Sequence, residues 1–363
     1  MNLLSNKLSI FKQLLYNIQL QVQKLLKKII NYENLNVEES YYVFEKFLKE
    51  NSPSSQIAGF LIGLRMKGET ADEIYGLSKC LRDYSKKIEI KNHENIIDVS
   101  GTGGDYSNSL NVSTISSFII SSCGICVAKH SSKKMTGTCG SADVLQKAGY
   151  NLNTPFEIVK KSIEEEGIGF LYAPLYHPMA RRIAKIRAQL GIITTFNIIG
   201  ALANPVNITH RLMGINDKKI LRPVAEAIKR MGIKKGLVII SNDGLDEISI
   251  FDKTYGILIE NDNLKEIEIY PEDFGIKREK DKNSIKVMGK VNALKTMIDI
   301  LQGNIRRDDP KVKIVLVNSG AGLYLTNKAR DFKEGYEIAE EALLNKKAFE
   351  KFKKVIIKYN LNL

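Results

Sequence analysis

Apolar residues recur at helical spacing from the start of the chain. Leu14, Leu15, Ile18, Val22, Leu25, Leu26 and Ile29 form one stripe, the spacing of an amphipathic helix. Asn36 before Val37-Glu38-Glu39 predicts a helix start, with early acids where the helix dipole favours them. Ser52-Pro53-Ser54-Ser55 breaks the next turn, and Ile57 to Met66 resumes as an apolar helix. Lys67-Gly68 ends it, and Thr70-Ala71-Asp72-Glu73 has the spacing of a capping box. Residues 1–88 therefore read as a helical domain, with 1–21 as a possible extension.

From Ile88 the pattern changes. The short β-branched runs are Ile96 to Ser100, Ile125 to Lys129, Leu237 to Ser241 and Val312 to Val317. Between them lie helical stretches over Asn111 to Ser122, Asp143 to Ala148, Pro155 to Glu166 and Pro223 to Met231. This alternation predicts an α/β domain with a mostly parallel central sheet over residues 89–363. Glu247 to Phe251 and Tyr255 to Glu260 fit a hairpin about Asp252-Lys253-Thr254, and the Lys-rich stretch from Lys277 to Lys286 reads as an exposed loop.

Composition narrows the class. No apolar run approaches the roughly 20 residues needed to span a bilayer, so the reading is a soluble, cytoplasmic protein without a membrane partner. The net charge of +13 admits a nucleic-acid partner or a polyanionic small substrate. Lysines spread along the whole chain, without a dense basic tract carrying aromatics, favour a coated surface instead. Cys123 and Cys126 have C-x-x-C spacing, but no second ligand pair follows. Buried thiols in a reducing compartment are the better reading of the 4 cysteines. Residues 1–32 contain no Asp or Glu. Such a start suits a presequence or a membrane-surface helix, but lacks Arg, and its stripe suits packing or dimerisation better.

The candidate chemistry sits at predicted strand ends, where ligands of parallel sheets collect. Asp98-Val99-Ser100-Gly101-Thr102-Gly103-Gly104-Asp105 runs from a strand into a glycine turn. There the backbone can reach positive φ and bare N–H groups can approach an anion. Asn111-Val112-Ser113-Thr114 opens the next helix toward the same place. Lys129-His130 ends the second strand and leads to a loop closing on Gly140-Ser141-Ala142-Asp143. Asp243-Gly244-Leu245-Asp246-Glu247 follows a later strand. A polyphosphate needs backbone donors, a lysine charge and Mg2+ shared with one or two carboxylates, and these three segments supply them. A fourth region differs in kind: His177-Pro178, then Arg187 to Gly191, Phe196-Asn197 and Gly200 to Pro205. Its small and apolar residues, with one arginine fork, suit an acidic aromatic ligand.

These motifs, in this order and over nearly the whole chain, resemble those of anthranilate phosphoribosyltransferases. The resemblance implies a small all-helical domain hinged to a large α/β domain, with the active site in the interdomain cleft. It implies a helical-domain contribution from about residues 180–210, and a homodimer formed through these domains. The implied reaction displaces pyrophosphate from phosphoribosyl pyrophosphate (PRPP) by the amine of anthranilate, a step of tryptophan biosynthesis. Position by position, it implies that Gly101, Thr102, Gly103, Gly104, Asp105, Asn111, Ser113, Thr114, Lys129 and Ser141 hold PRPP. Gly101, His130, Ser132, His177, Arg187 and Gly200 meet anthranilate. Ser113, Asp246 and Glu247 hold Mg2+. Lys129 and Asp105 act electrostatically, and no strong general base is required.

The departures from the family pattern cluster on the acceptor side. The usual K-H-G-N reads Lys129-His130-Ser131-Ser132, L-G-x-R-T reads Leu190 to Thr194 with Ile193 for arginine, and G-P-L has Ala201 for proline. The phosphate and metal side is intact. The alternatives are therefore a same-family transferase with another aromatic acceptor and, less favoured, a non-catalytic nucleic-acid-binding relative. The retained acids argue against the latter.

Overall fold

The computed structural model describes residues 20–49, 52–91, 93–103, 110–133 and 139–358. A helix over 20–30 (α1) is followed by α2 (Val37–Lys49), α3 (Ser54–Lys67) and α4 (Ala71–Asp83). Local chemistry sets these starts. Asn36 Oδ1 accepts from the Glu39 amide at 2.8 Å and Glu39 Oε2 accepts from the Asn36 amide at 3.1 Å. Thr70 and Glu73 form the same reciprocal pair at the head of α4.

The remainder alternates: β1 (Ile96–Gly101), α5 (Val112–Ser122), β2 (Cys126–Ser131), α6 (Ser141–Lys147), α7 (Phe156–Glu166), β3 (Ile168–Tyr172), α8 (Ala173–Tyr176), α9 (Arg181–Leu190) and α10 (Thr195–Leu202). Then come β4 (His210–Gly214), α11 (Leu221–Arg230), β5 (Lys235–Ser241), β6 (Thr254–Glu260), β7 (Asn263–Ile269), α12 (Lys290–Gln302), α13 (Pro310–Leu325), α14 (Phe332–Leu344) and α15 (Lys347–Lys358). The seven strands lie in the order β3-β2-β1-β4-β5-β6-β7, parallel except where β6 and β7 join antiparallel. The chain winds outward from β1 through β2 and β3, then restarts on its other side at β4. That reversal opens a crevice at the carboxyl ends of the central strands.

Alternation along the strands divides the core. Ile97, Val99, Leu212, Leu237 and Ile239 face α5 and α13, whereas Ile96, Met213, Val238 and Ile240 face α7 and α11. A third cluster joins Phe44, Phe60 and Leu64 of the first helices to Ile183 and Ile186 of α9 and Ile199 of α10.

Three sequence expectations are corrected. Val312 to Val317 is part of α13, not a strand. Its apolar run is too short for periodicity to separate strand from buried helix. The deciding signal is Asp309, whose side chain caps the helix, with Pro310 in the first turn. The small residues after it let α13 cross α14 closely: a Cβ on Gly320 would lie 2.6 Å from the Tyr336 amide nitrogen. The hairpin is shifted as well. Glu247 to Phe251 forms no strand, and β6 pairs with β7 across Asn261 and Asp262, both at positive φ (51° and 59°), as a two-residue hairpin turn requires. Ile285, within the predicted exposed Lys277–Lys286 loop, is buried.

Candidate active site

At the end of β1, Gly103 has φ +65° and its amide donates to Asp246 Oδ2 at 3.0 Å. The glycines at the neighbouring strand ends make the seat for that acid. A Cβ on Gly101 would lie 2.4 Å from Asp246 Oδ2, and one on Gly214 would lie 1.6 Å from the Asp246 carbonyl oxygen. Asp246 thus packs against the glycine turn although 143 residues separate it from Gly103.

Lys129 projects from β2 toward α5, as its parity with Val127 requires. Its Nζ donates to Ser113 Oγ at 3.1 Å and to the Val99 carbonyl. Burial pushes its pKa down to about 8, while Asp98, Asp246 and Glu247 pull it back up. The ammonium is therefore a mostly charged group near pH 7, buried within the field of three acids. Asn111 Nδ2 donates to the Cys139 carbonyl at 3.2 Å, tying the start of α5 to the segment before Ser141.

His130 takes the other face. Its amide donates to Asp98 Oδ1 at 3.3 Å, and Asp98 is held by Asn204 at 3.0 Å and Arg211 at 3.4 Å. His130 Nε2 lies 3.2 Å from His177 Nε2, so one ring donates and the other accepts. Burial, then the Arg211 and Lys129 cations, pushes His130 down to about 3. Burial, then His130, does the same to His177, also to about 3. Both imidazoles are neutral near pH 7.

Arg187 supplies the cation on this face. Its Nε donates to Thr194 Oγ1 at 3.2 Å and its Nη2 to Asn197 Oδ1 at 2.7 Å. The guanidinium lies 4.5 Å from the Phe196 ring centroid. Burial pushes its pKa down to about 10, and no carboxylate among the described residues pulls it back.

One cavity of about 530 Å³ joins the two faces, a volume suited to small organic ligands. Gly101, Thr102, Gly103, Asn111, Ser113, Lys129, Ser141, Asp246 and Glu247 line it, as do His130, Ser132, His177, Arg187 and Gly200. Thr114 does not: it is fully buried on α5. Gly104, Asp105 and residues 134–138 lie outside the described residues. Sequence reasoning did not assign Ser100 and Ser131, whose buried hydroxyls line the cavity without a hydrogen-bond partner among the described residues. Strand parity puts Ser131 on the Lys129 side and Ser100 on the His130 side. Asn197 and Lys185 also line the cavity. For Asn197, the signal was its place three residues after a helix-capping Thr194.

Among the described residues, no group of three or more His, Cys, Asp or Glu side chains could hold a metal ion. Asp246 and Glu247 fit instead a Mg2+ completed by ligand oxygens and water, because the glycine seat turns Asp246 to the turn where an anion would bind. No described helix is long and apolar enough to cross a membrane.

A helical bundle beside a mostly parallel sheet, with this cavity at the strand ends, defines a class. Residues 23–85 match the helical bundle domain of the glycosyl transferase family, and residues 93–349 match its α/β domain. Within that class the chain belongs to the anthranilate phosphoribosyltransferase family. The anthranilate phosphoribosyltransferase of Caldanaerobacter subterraneus subsp. tengcongensis is 38% identical over 92% of this chain and 97% of its own length. The crystal structure of the Thermus thermophilus enzyme matches with a TM-score of 0.84 at 31% identity, covering 91% of this chain and 98% of that one. The Saccharomyces cerevisiae enzyme in complex with PRPP and Mg has the same fold, with a TM-score of 0.83 at 24% identity over 94% of this chain and 98% of that one.

Proposed function

We infer that the chain transfers the phosphoribosyl group of PRPP to the amine of anthranilate, releasing pyrophosphate, in tryptophan biosynthesis. One observation carries this reading. A buried arginine with no acid partner among the described residues faces the same cavity as a glycine turn, a buried lysine and two acids.

The donor takes the Lys129 side. Its phosphate oxygens meet the turn at Gly101, Thr102 and Gly103 and the side chains of Asn111, Ser113, Lys129 and Ser141; Gly104 and Asp105, outside the described residues, belong to the same donor motif. Thr114 helps by packing α5. Ser113, Asp246 and Glu247 would hold Mg2+, which neutralises charge on a departing diphosphate when bound. Anthranilate takes the other side, its carboxylate on Arg187 and its ring among Gly101, His130, Ser132, His177 and Gly200. As the bond from ribose C1 to the diphosphate oxygen breaks, its electron pair leaves with pyrophosphate. The amine lone pair then forms the C1–N bond, and the nitrogen sheds a proton to solvent. Lys129 stabilises the leaving charge, and Arg187 orients the amine. An arylamine is nucleophilic while neutral, so the uncharged imidazoles need not act as strong bases.

The same reading makes residues 1–88, with help from about 180–210, one domain and 89–363 the other. The shared core of α2, α3, α9 and α10 supports this. Ile30, Tyr32 and Met66, exposed on the helical part, support a homodimer formed there, and free cysteines suit a cytoplasmic setting. The test is pyrophosphate release from PRPP and Mg2+ against a panel of aromatic amines. Anthranilate should give the highest kcat/KM. A different preferred acceptor would transfer the reading to a sister activity, and no release with any amine would end it.

A further inference from the structure

The loop between β5 and β6 carries Asp246 and Glu247, yet no strand pairs with it. Its buried main-chain groups still need partners. At Ile248, which is fully buried, one side chain of α13 meets both. The Ile248 amide donates to Asn318 Oδ1 at 3.0 Å, and Asn318 Nδ2 donates to the Ile248 carbonyl at 3.0 Å. The second Nδ2 hydrogen is taken by the Ile314 carbonyl of α13 itself, at 2.9 Å.

We propose that Asn318 is a positioning residue for the two acids: its carboxamide pins Ile248 to α13 and thereby fixes how Asp246 and Glu247 face the donor. The proposal rests on the reading of those acids as the magnesium site. Among the contacts that hold the loop, two flank Glu247 directly. Asp246 rests on the Gly101–Gly103 turn and on Gly214, and Ile248 rests on Asn318. Glu247 lies between these anchors.

Asn318 borders the cavity and is 3% exposed, but both of its donors are committed within the protein. It therefore acts through the loop. A carboxamide is the side group that, like a peptide, offers a donor and an acceptor side by side. An aspartate would lose both donors and set a buried charge against two carbonyl oxygens. A serine or alanine would leave the Ile248 pair short of partners.

The test compares the native protein with Asn318→Ala, the milder Asn318→Ser, and Asp246→Asn/Glu247→Gln. Binding of Mn2+ with PRPP is followed by electron paramagnetic resonance and scaled to the folded fraction from circular dichroism. Both Asn318 variants should weaken that binding about tenfold or more, the scale of misplaced binding groups. They should leave the KM for anthranilate within about twofold, and excess Mn2+ should restore part of the loss. Native-like Mn2+–PRPP binding in the Asn318 variants, with binding lost in the double acid variant, would overturn the proposal alone. Native-like binding in the double acid variant would instead overturn the magnesium reading beneath it.

Discussion

In the proposed function, Arg187 is the residue on which acceptor choice turns. Its guanidinium is buried, braced by Thr194 and Asn197, and stacked on Phe196. A hydrogen bond to a charged group contributes about 1.5–3 kcal/mol. Arg187→Ala should therefore raise the KM for anthranilate by about 10- to 100-fold, while the KM for PRPP stays nearly constant. Steady-state kinetics with each substrate varied would expose an equal effect on both, which counts against a carboxylate clamp. The histidine pair makes a prediction of opposite kind. Each imidazole has its pKa depressed to about 3, so each gains a proton only when the pH falls that far. The acceptor's kcat/KM should show no imidazole step between about pH 6 and 8, the range where an unperturbed histidine titrates. A step there that disappears in His177→Asn would contradict this electrostatic picture.

At the scale of elements, the strand ends decide the site. Gly214 closes β4 with no room for a side chain, since a Cβ would fall 1.6 Å from the main-chain oxygen of Asp246. Gly214→Ala must displace the acid loop, and a misplacement of about 1 Å can cost about 100-fold in rate. The variant should fold, keep its affinity for anthranilate, and lose about two orders of magnitude in kcat/KM for PRPP. Unchanged kinetics would show that the seat is not needed. The cavity wall assigned to the donor was legible in sequence because its features are local: a strand, a glycine turn and a hydroxyl-bearing helix start within a few residues. Lys129 and the adjacent acids were readable for the same reason. The seat of Asp246 was not, because Gly101, Gly214 and Asp246 become neighbours only through the order of β1, β4 and β5. Val312 to Val317 misled because a helix buried on all sides has no polar face to mark its period. The shifted hairpin misled because Asp252-Lys253-Thr254 resembles a turn, whereas Asn261-Asp262 supplies the positive φ values.

At the scale of the molecule, the cavity belongs to two bodies of structure. Leu81 of α4 and Ala184 and Arg187 of α9 come from the helical side, and the glycine turn, Lys129 and Asp246 come from the sheet. A half-buried ion pair ties the sides together: Arg65 of α3, which also pairs with Glu69 at 3.1 Å, reaches Asp217 beyond β4 at 2.6 Å. In the proposed function this holds the acceptor side against the donor side, which is what approximation of an amine to a ribosyl carbon demands. The most direct measurement is a crystal structure of the protein soaked with PRPP, Mg2+ and an unreactive anthranilate analogue. The diphosphate should lie between the Gly101–Gly103 turn and Lys129, with the metal on Asp246 and Glu247 and the analogue's carboxylate on Arg187. Donor density away from that turn, or an analogue that does not touch Arg187, would contradict the account.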